Sequence, residues 1–169
     1  MTVNLQNLRQ MPPLRQYNFE LIIPSWPGGG DGSLLRIPVL TTSLPGFSNE
    51  PIESAVAGFV EKFAGRGMYP RSLPVEYRET RTVAVWTALY DWNQMAFNSE
   101  TGVQSEDAIG SGYKTTGYLK LYNEAREEAK SITFEGMWPE DVSDVSLDGS
   151  ASEVVRVSAT FSYDRIAVE

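Results

Sequence analysis

The chain contains no cysteine and no histidine. Without cysteine there is no disulfide framework, no thiolate nucleophile and no cysteine-ligated zinc. Without histidine the commonest general base and the commonest metal ligand are missing. Serine, cysteine and zinc hydrolases of the familiar kinds are thereby excluded. No run of about 20 apolar residues occurs, so no membrane-spanning helix is expected. The opening MTVNLQNLRQMPPLRQ is polar and lacks an apolar segment, so no signal peptide is expected, and cytoplasmic synthesis fits the missing thiols. Basic charge is also short: 14 Lys and Arg stand against 22 Asp and Glu, a net charge of −8. Such a chain does not grip phosphates, because tight binding needs cations to displace counterions. It can form a wall past which nucleic acid slides, since like charge prevents sticking. Plain solubility explains the same charge.

What is present is ordinary globular material. The 169 residues are 41% hydrophobic and 11% aromatic, enough for one domain with a real core. Residues 1–16 read as an extended N-terminal arm ending near Pro12 and Pro13. Tyr17–Ile23 alternates as a strand, Pro24–Ser33 is a Gly- and Pro-rich turn, and Leu34–Leu40 reads as the returning strand, with Pro38 marking an edge or bulge. Leu44-Pro45-Gly46 signals a turn. A long segment, Phe47–Pro70, holds one strand, Phe59–Ala64, and Leu73–Arg78 alternates again.

Thr82–Phe97 is the one good helix, with Thr80 as its N-cap. Val85, Leu89, Trp92 and Ala96 form its apolar stripe, which Trp86 and Tyr90 widen; core packing explains the stripe. After a polar loop come strands Thr116–Asn123, Ser131–Met137 and Glu153–Tyr163, the first two around a charged turn. About seven strands and one helix make a mainly β fold: a small β-barrel or β-sandwich with one packed α-helix.

Candidate chemistry fails its context tests. GGGDG at 28–32 lacks the Lys-Ser/Thr ending of a phosphate loop and is read as a hairpin turn rather than a helix start. Glu106-Asp107 and Glu140-Asp141 are adjacent acids in polar loops, not carboxylates spaced across a cleft. Glu140, Asp144 and Asp148 do not match an EF-hand spacing. No catalytic residue, cofactor or metal is expected.

Taken in order, the landmarks are more specific. They are YNFELII, then Thr42-Ser43-Leu44-Pro45-Gly46, Phe63-Ala64-Gly65, LPVEYR, a helix closing on Asp91-Trp92, Gly112-Tyr113-Lys114, a strand ending in Tyr122, ITFEGMWP at 132–139, and a terminal strand with FSYD. In this order the chain resembles the tail-tube proteins of contractile-tailed bacteriophages over residues 17–169. The Gly-rich insertion near 27–32 departs from the pattern and implies a longer outer hairpin. The resemblance implies a single tail-tube domain over 1–169 whose strands complete a tube wall. It implies homohexameric rings stacked helically, with a lumen for DNA. The implied partners are further copies of the chain, the tail sheath, baseplate and tail terminator proteins. The tape-measure protein and genomic DNA would lie inside without specific binding. The implied place is the virion tail. Other readings stay open: the tube of a secretion system or bacteriocin, a baseplate tube initiator, or a free β-sandwich binding module.

Two surfaces follow. On the last strand, Val155, Val157, Ala159, Phe161 and Tyr163 share an apolar face that meets the core. Arg156, Ser158, Thr160 and Ser162, with Val154, face the lumen or a neighbour, and Glu61 is assigned to the lumen as well, Glu61 or Glu53 offsetting Arg156. That lumen should be negative or neutral. Gly46–Gly58 is a long segment whose apolar residues lack a core of their own. In the resembling family it reaches the adjacent ring. Phe47, Pro51, Ile52 and Val56 are therefore expected to be buried against the next ring, and Glu50 and Glu53 to pair with basic groups there.

Overall fold

The computed structural model describes residues 14–27, 30–56, 58–104, 109–148, 150 and 152–169. Most of the expected N-terminal arm and the Glu106-Asp107 pair therefore lie outside the described residues. Eleven strands and two helices are found among those described. They are β1 (Phe19–Ile22), β2 (Ser25–Trp26), β3 (Gly30–Asp31), α1 (Ser33–Arg36), β4 (Val39–Thr42), β5 (Ser48–Val56) and β6 (Phe59–Met68). These are followed by β7 (Ser72–Arg78), α2 (Ala84–Ala96), β8 (Thr115–Tyr122), β9 (Glu128–Val142), β10 (Arg156–Ser162) and β11 (Arg165–Val168).

The main sheet is antiparallel and runs β1-β8-β9-β10-β7-β4, with β11 also on β9. The expected mainly β fold with a packed helix is what forms, but the barrel stays open: the path ends at β1 and β4, which do not pair. The centre is β9. On one edge it pairs with β8, from Tyr122↔Glu128 to Thr115↔Met137. On the other edge β10 and β11 lie end to end, from Ser162↔Trp138 to Arg165↔Glu135. The strand expected over Glu153–Tyr163 is the shorter β10, Arg156–Ser162, and β11 beyond it was not expected.

The inward face of each strand explains the core. Leu73, Val75 and Tyr77 of β7 and Val157, Ala159 and Phe161 of β10 are buried, at the two-residue period of a pleated strand. On β9 the buried residues are Ser131 at one end of the core, Ile132 and Phe134, then Met137 and Pro139, and the inward apolar face is carried by the last four. The step of three comes at Gly136, whose φ is +68°. A glycine adopts that conformation without steric penalty, so the strand bulges and turns its inward face back to the core. Pro139 is tolerated because its carbonyl accepts from Asn93 Nδ2 at 2.9 Å. N–H and C=O of one strand residue point to the same edge, so the missing donor faces the helix, not β10.

Helix α2 covers the open side of this core. Val85, Ala88, Leu89 and Trp92 are buried. Trp92 stacks on Trp26, with ring centroids 6.3 Å apart, and leans on Phe161 at 5.8 Å. Its Nε1–H donates to the Tyr113 carbonyl at 2.7 Å. The helix begins at Ala84, two residues later than expected. The N-cap position is Val83, at φ +54°, and not the expected Thr80, whose hydroxyl nevertheless accepts from Ala84 N–H at 3.0 Å. Trp86 and Tyr90 do not widen the core stripe; they lie on the outer face, 38% and 39% exposed.

Three further expectations are corrected. Leu34–Leu40 is not one strand but a helical turn followed by β4. The turn buries Leu35 and brings Arg36 onto Glu20 of β1 at 2.6 Å, contacts an extended chain would not make together. The glycine-rich turn therefore does lead into a helix, though only a four-residue one. Finally, Ser48–Val56 is not a loop: β5 and β6 form a two-stranded hairpin joined through Gly58, at φ +85°.

Candidate assembly surfaces

The β5–β6 hairpin pairs only with itself and with no strand of the main sheet. Along both strands every described residue is exposed except Gly65. Residues directly opposite on paired strands share a face. The register Ile52↔Phe63, Ser54↔Glu61 and Val56↔Phe59 puts three pairs on one face. Pro51↔Ala64, Glu53↔Lys62 and Ala55↔Val60 make up the other. Both faces are mainly apolar, and Phe59 is 77% and Val56 68% exposed. A two-stranded hairpin of this kind is marginal alone in water. Apolar surface on both sides of a projecting arm marks it as an interaction element.

The six residues expected to contact another ring all fall in or beside this hairpin. Phe47 precedes β5 and is 81% exposed. Glu50 stands opposite a bulge between the Asn49↔Gly67 and Pro51↔Ala64 pairs. Pro51 and Glu53 share one face, and Ile52 and Val56 the other. Glu53 already has a partner inside the hairpin, Lys62 Nζ at 2.8 Å. Of the six, Glu50 is the acid left without an ion pair among the described residues.

The lumen candidates are divided between two places. Arg156, Ser158, Thr160 and Ser162 line the outward face of β10, while the alternate residues are buried. Glu61 is on the hairpin, in a different sheet. The acid beside Arg156 is neither Glu61 nor Glu53 but Glu76 of β7, at 3.2 Å. Sequence reading missed it because the partner is set by the β10–β7 register, in which Ser158 faces Glu76 and Arg156 faces Arg78. Thr41 of β4 donates to the other oxygen of Glu76 at 3.3 Å, and Asp141 stands opposite Thr160. The face is small, polar and balanced in charge, two arginines against two carboxylates.

The fold as a whole is similar to that of chains from contractile injection systems. A chain in an extended-state sheath-tube complex of the extracellular contractile injection system PVC matches with a TM-score of 0.63, at 17% identity over 99% of both chains. A chain of the six-fold symmetrised baseplate of the anti-feeding prophage matches with a TM-score of 0.63, at 13% identity over 94% of this chain and 96% of that one. Hcp1 from Flavobacterium johnsoniae matches with a TM-score of 0.52, at 13% identity over 90% and 94%. No match is found among curated protein sequences. Residues 16–169 match the phage tail tube protein family, and the chain belongs to that family.

Proposed function

We propose that this protein is a structural, non-catalytic subunit of a phage tail tube. It assembles as stacked homohexameric rings and encloses a channel through which DNA passes during ejection. The observation that carries the reading is the β5–β6 hairpin, with apolar residues exposed on both faces and no cover from its own subunit. A contact between different patches of identical chains propagates where it does not close, so an arm of this kind builds a filament. The sheet ends at unpaired β1 and β4, and a ring of neighbours protects such edges. The polar, charge-balanced face of β10 with Arg156, Ser158, Thr160 and Ser162 suits a lumen that does not hold DNA. The sheath is the partner outside, baseplate and terminator proteins at the ends, and the tape-measure protein and genomic DNA within. The place of work is the virion tail.

A second reading, the tube of a secretion system or bacteriocin, or a baseplate tube initiator, is favoured by the likeness to the PVC, prophage and Hcp1 chains. Negative-stain electron microscopy of the purified protein tests assembly. Six-membered rings and open tubes are expected; a chain that stays monomeric at high concentration overturns both tube readings. Genes for a tape-measure protein beside it separate a phage tube from a secretion tube.

A further inference from the structure

Trp86 and Tyr90 stack on each other on the outer face of α2, with ring centroids 5.2 Å apart and 15° between their planes. A groove lies between this pair and the end of β9 with the residues that follow it, and Glu140, Asp141 and Asp144 are among its lining. Asp141 receives the Ser143 hydroxyl at 3.4 Å. Among the described residues none of the three acids makes an ion pair, and no basic residue lines the groove. Nor do the described residues gather three such ligands in a metal-binding group. The chemistry that fits is a guanidinium, which lies flat on an indole or phenol ring while its N–H groups donate to carboxylates.

The same chain carries such a group on its projecting arm. Arg15, Arg36, Lys62, Lys114, Lys120, Arg156 and Arg165 are engaged in internal ion pairs. Arg66 is not. It is exposed, sits in the bulge of β6 between Gly65 and Gly67, and belongs to a hairpin that pairs with no strand of the main sheet. The remaining unpaired cations described, Arg71, Arg78, Arg81, Arg126 and Lys130, lie on or beside the main body rather than on the hairpin.

We infer that Arg66 of one copy docks in the α2 groove of the next, over Trp86 and Tyr90 and against Glu140 and Asp144. Donor and socket are different surfaces of the same chain, so the contact is heterologous and repeats from copy to copy. The inference rests on the tube reading and names the socket that receives the hairpin. The test uses Arg66→Glu, the pair Glu140→Arg with Asp144→Arg, and a chain carrying all three changes, beside the unmodified protein. Circular dichroism checks folding, and negative-stain images measure tube length. Each reversed protein is expected to give tubes shorter by roughly tenfold or more, since like charges meet at every contact. The combined chain should recover long tubes, and so should an equimolar mixture of the two reversed proteins, in which each arm meets a matching socket. Normal tubes from Arg66→Glu, or no recovery in both the combined chain and the mixture, overturn the inference while leaving the tube reading intact. If the unmodified protein makes no tubes at all, the tube reading fails and this contact fails with it.

Discussion

Gly136 and Asp164 face each other across the junction of β9, β10 and β11. A Cβ added to Gly136 would run into the Asp164 carboxylate. That carboxylate is held by Lys114 Nζ at 2.8 Å, and the Asp164 N–H donates to the Glu135 carbonyl at 2.9 Å. One glycine thus permits both the bulge that re-aims β9 and the break between β10 and β11. Gly136→Ala meets a left-handed backbone and a steric clash together. It should lose about 2 kcal/mol or more by urea denaturation. Lys114→Met, which removes the partly exposed ion pair and the ammonium over the Tyr113 ring, should lose less than about 1 kcal/mol.

The start of α2 depends on Glu79. Its carboxylate accepts from Val85 N–H at 3.0 Å and Trp86 N–H at 2.8 Å, two donors that the first helical turn leaves unpaired. It also accepts from Thr80 N–H at 2.7 Å. Glu79→Ala should cost about 1–2 kcal/mol, and Thr80→Ala about 1 kcal/mol or less. Thermal melts followed by far-UV circular dichroism measure both. An ordering with Thr80 as the larger loss would contradict the geometry.

These two sites show where sequence reading reached and where it stopped. The helix, β7, β8 and the inward residues of β10 were legible because each has one wet and one dry face, and burial imprints a period on the residues. The hairpin was half missed for the opposite reason. Neither face of β5 meets the subunit's core, so Pro51, Ile52, Glu53 and Val56 carry no alternation that marks a strand. Leu34–Leu40 was misread because two adjacent leucines fit a helical turn as well as a strand, and the turn is the form that goes with tertiary contacts, Leu35 in the core and Arg36 on Glu20. Glu76 and Glu79 were invisible for a similar reason. Their partners are set by strand register and by the fold of the α2 entry, not by spacing along the chain.

Glu20 provides a pH-dependent contribution. The hydrogen bond from Arg36 holds its carboxyl below the ordinary carboxylate value of 4.5, with the Tyr122 hydroxyl at 2.9 Å helping. A carboxylate depressed in the folded state stabilises the fold above its unfolded value. That contribution is lost as pH falls through the folded value. Stability should therefore decline below about pH 4.5, and Glu20→Gln should make the decline shallower. Urea midpoints measured from pH 7 down to pH 3 test this. Equal slopes for the two proteins would show that the Glu20–Arg36–Tyr122 cluster contributes nothing to folding.

Tyr77 is fully buried, and its hydroxyl finds no partner among the described residues. Burial pushes its ionisation well above the ordinary tyrosine value. A buried donor left unmade is costly, so removing it without changing the ring should not destabilise. Tyr77→Phe is expected to be neutral or more stable by up to about 1 kcal/mol. A clear loss of stability would reveal a hydrogen bond made in solution.

The hairpin gives the most direct division between folding and assembly. Shortening only 48–57, within the Gly46–Gly58 segment, would strip β6 of its partner strand and expose its edge. The cleaner change replaces the whole of 48–68 with a short Gly-Ser linker. The main sheet should survive, because its register is set by β7, β8, β9 and β10, none of which pairs with the hairpin. The residues of the buried core lie outside 48–68 as well. The shortened chain should therefore melt cooperatively within a few degrees of the intact protein. It should also lose Phe59, Phe63, Ile52 and Val56 as contact surface, and with them the ability to form long tubes. Single rings, or monomers, are the expected species in negative-stain images and in sedimentation velocity. Unfolding of the shortened chain would mean that the hairpin supports its own subunit. Tubes of normal length from a folded, shortened chain would remove it from the stacking contact and move the search to the open edges of β1 and β4.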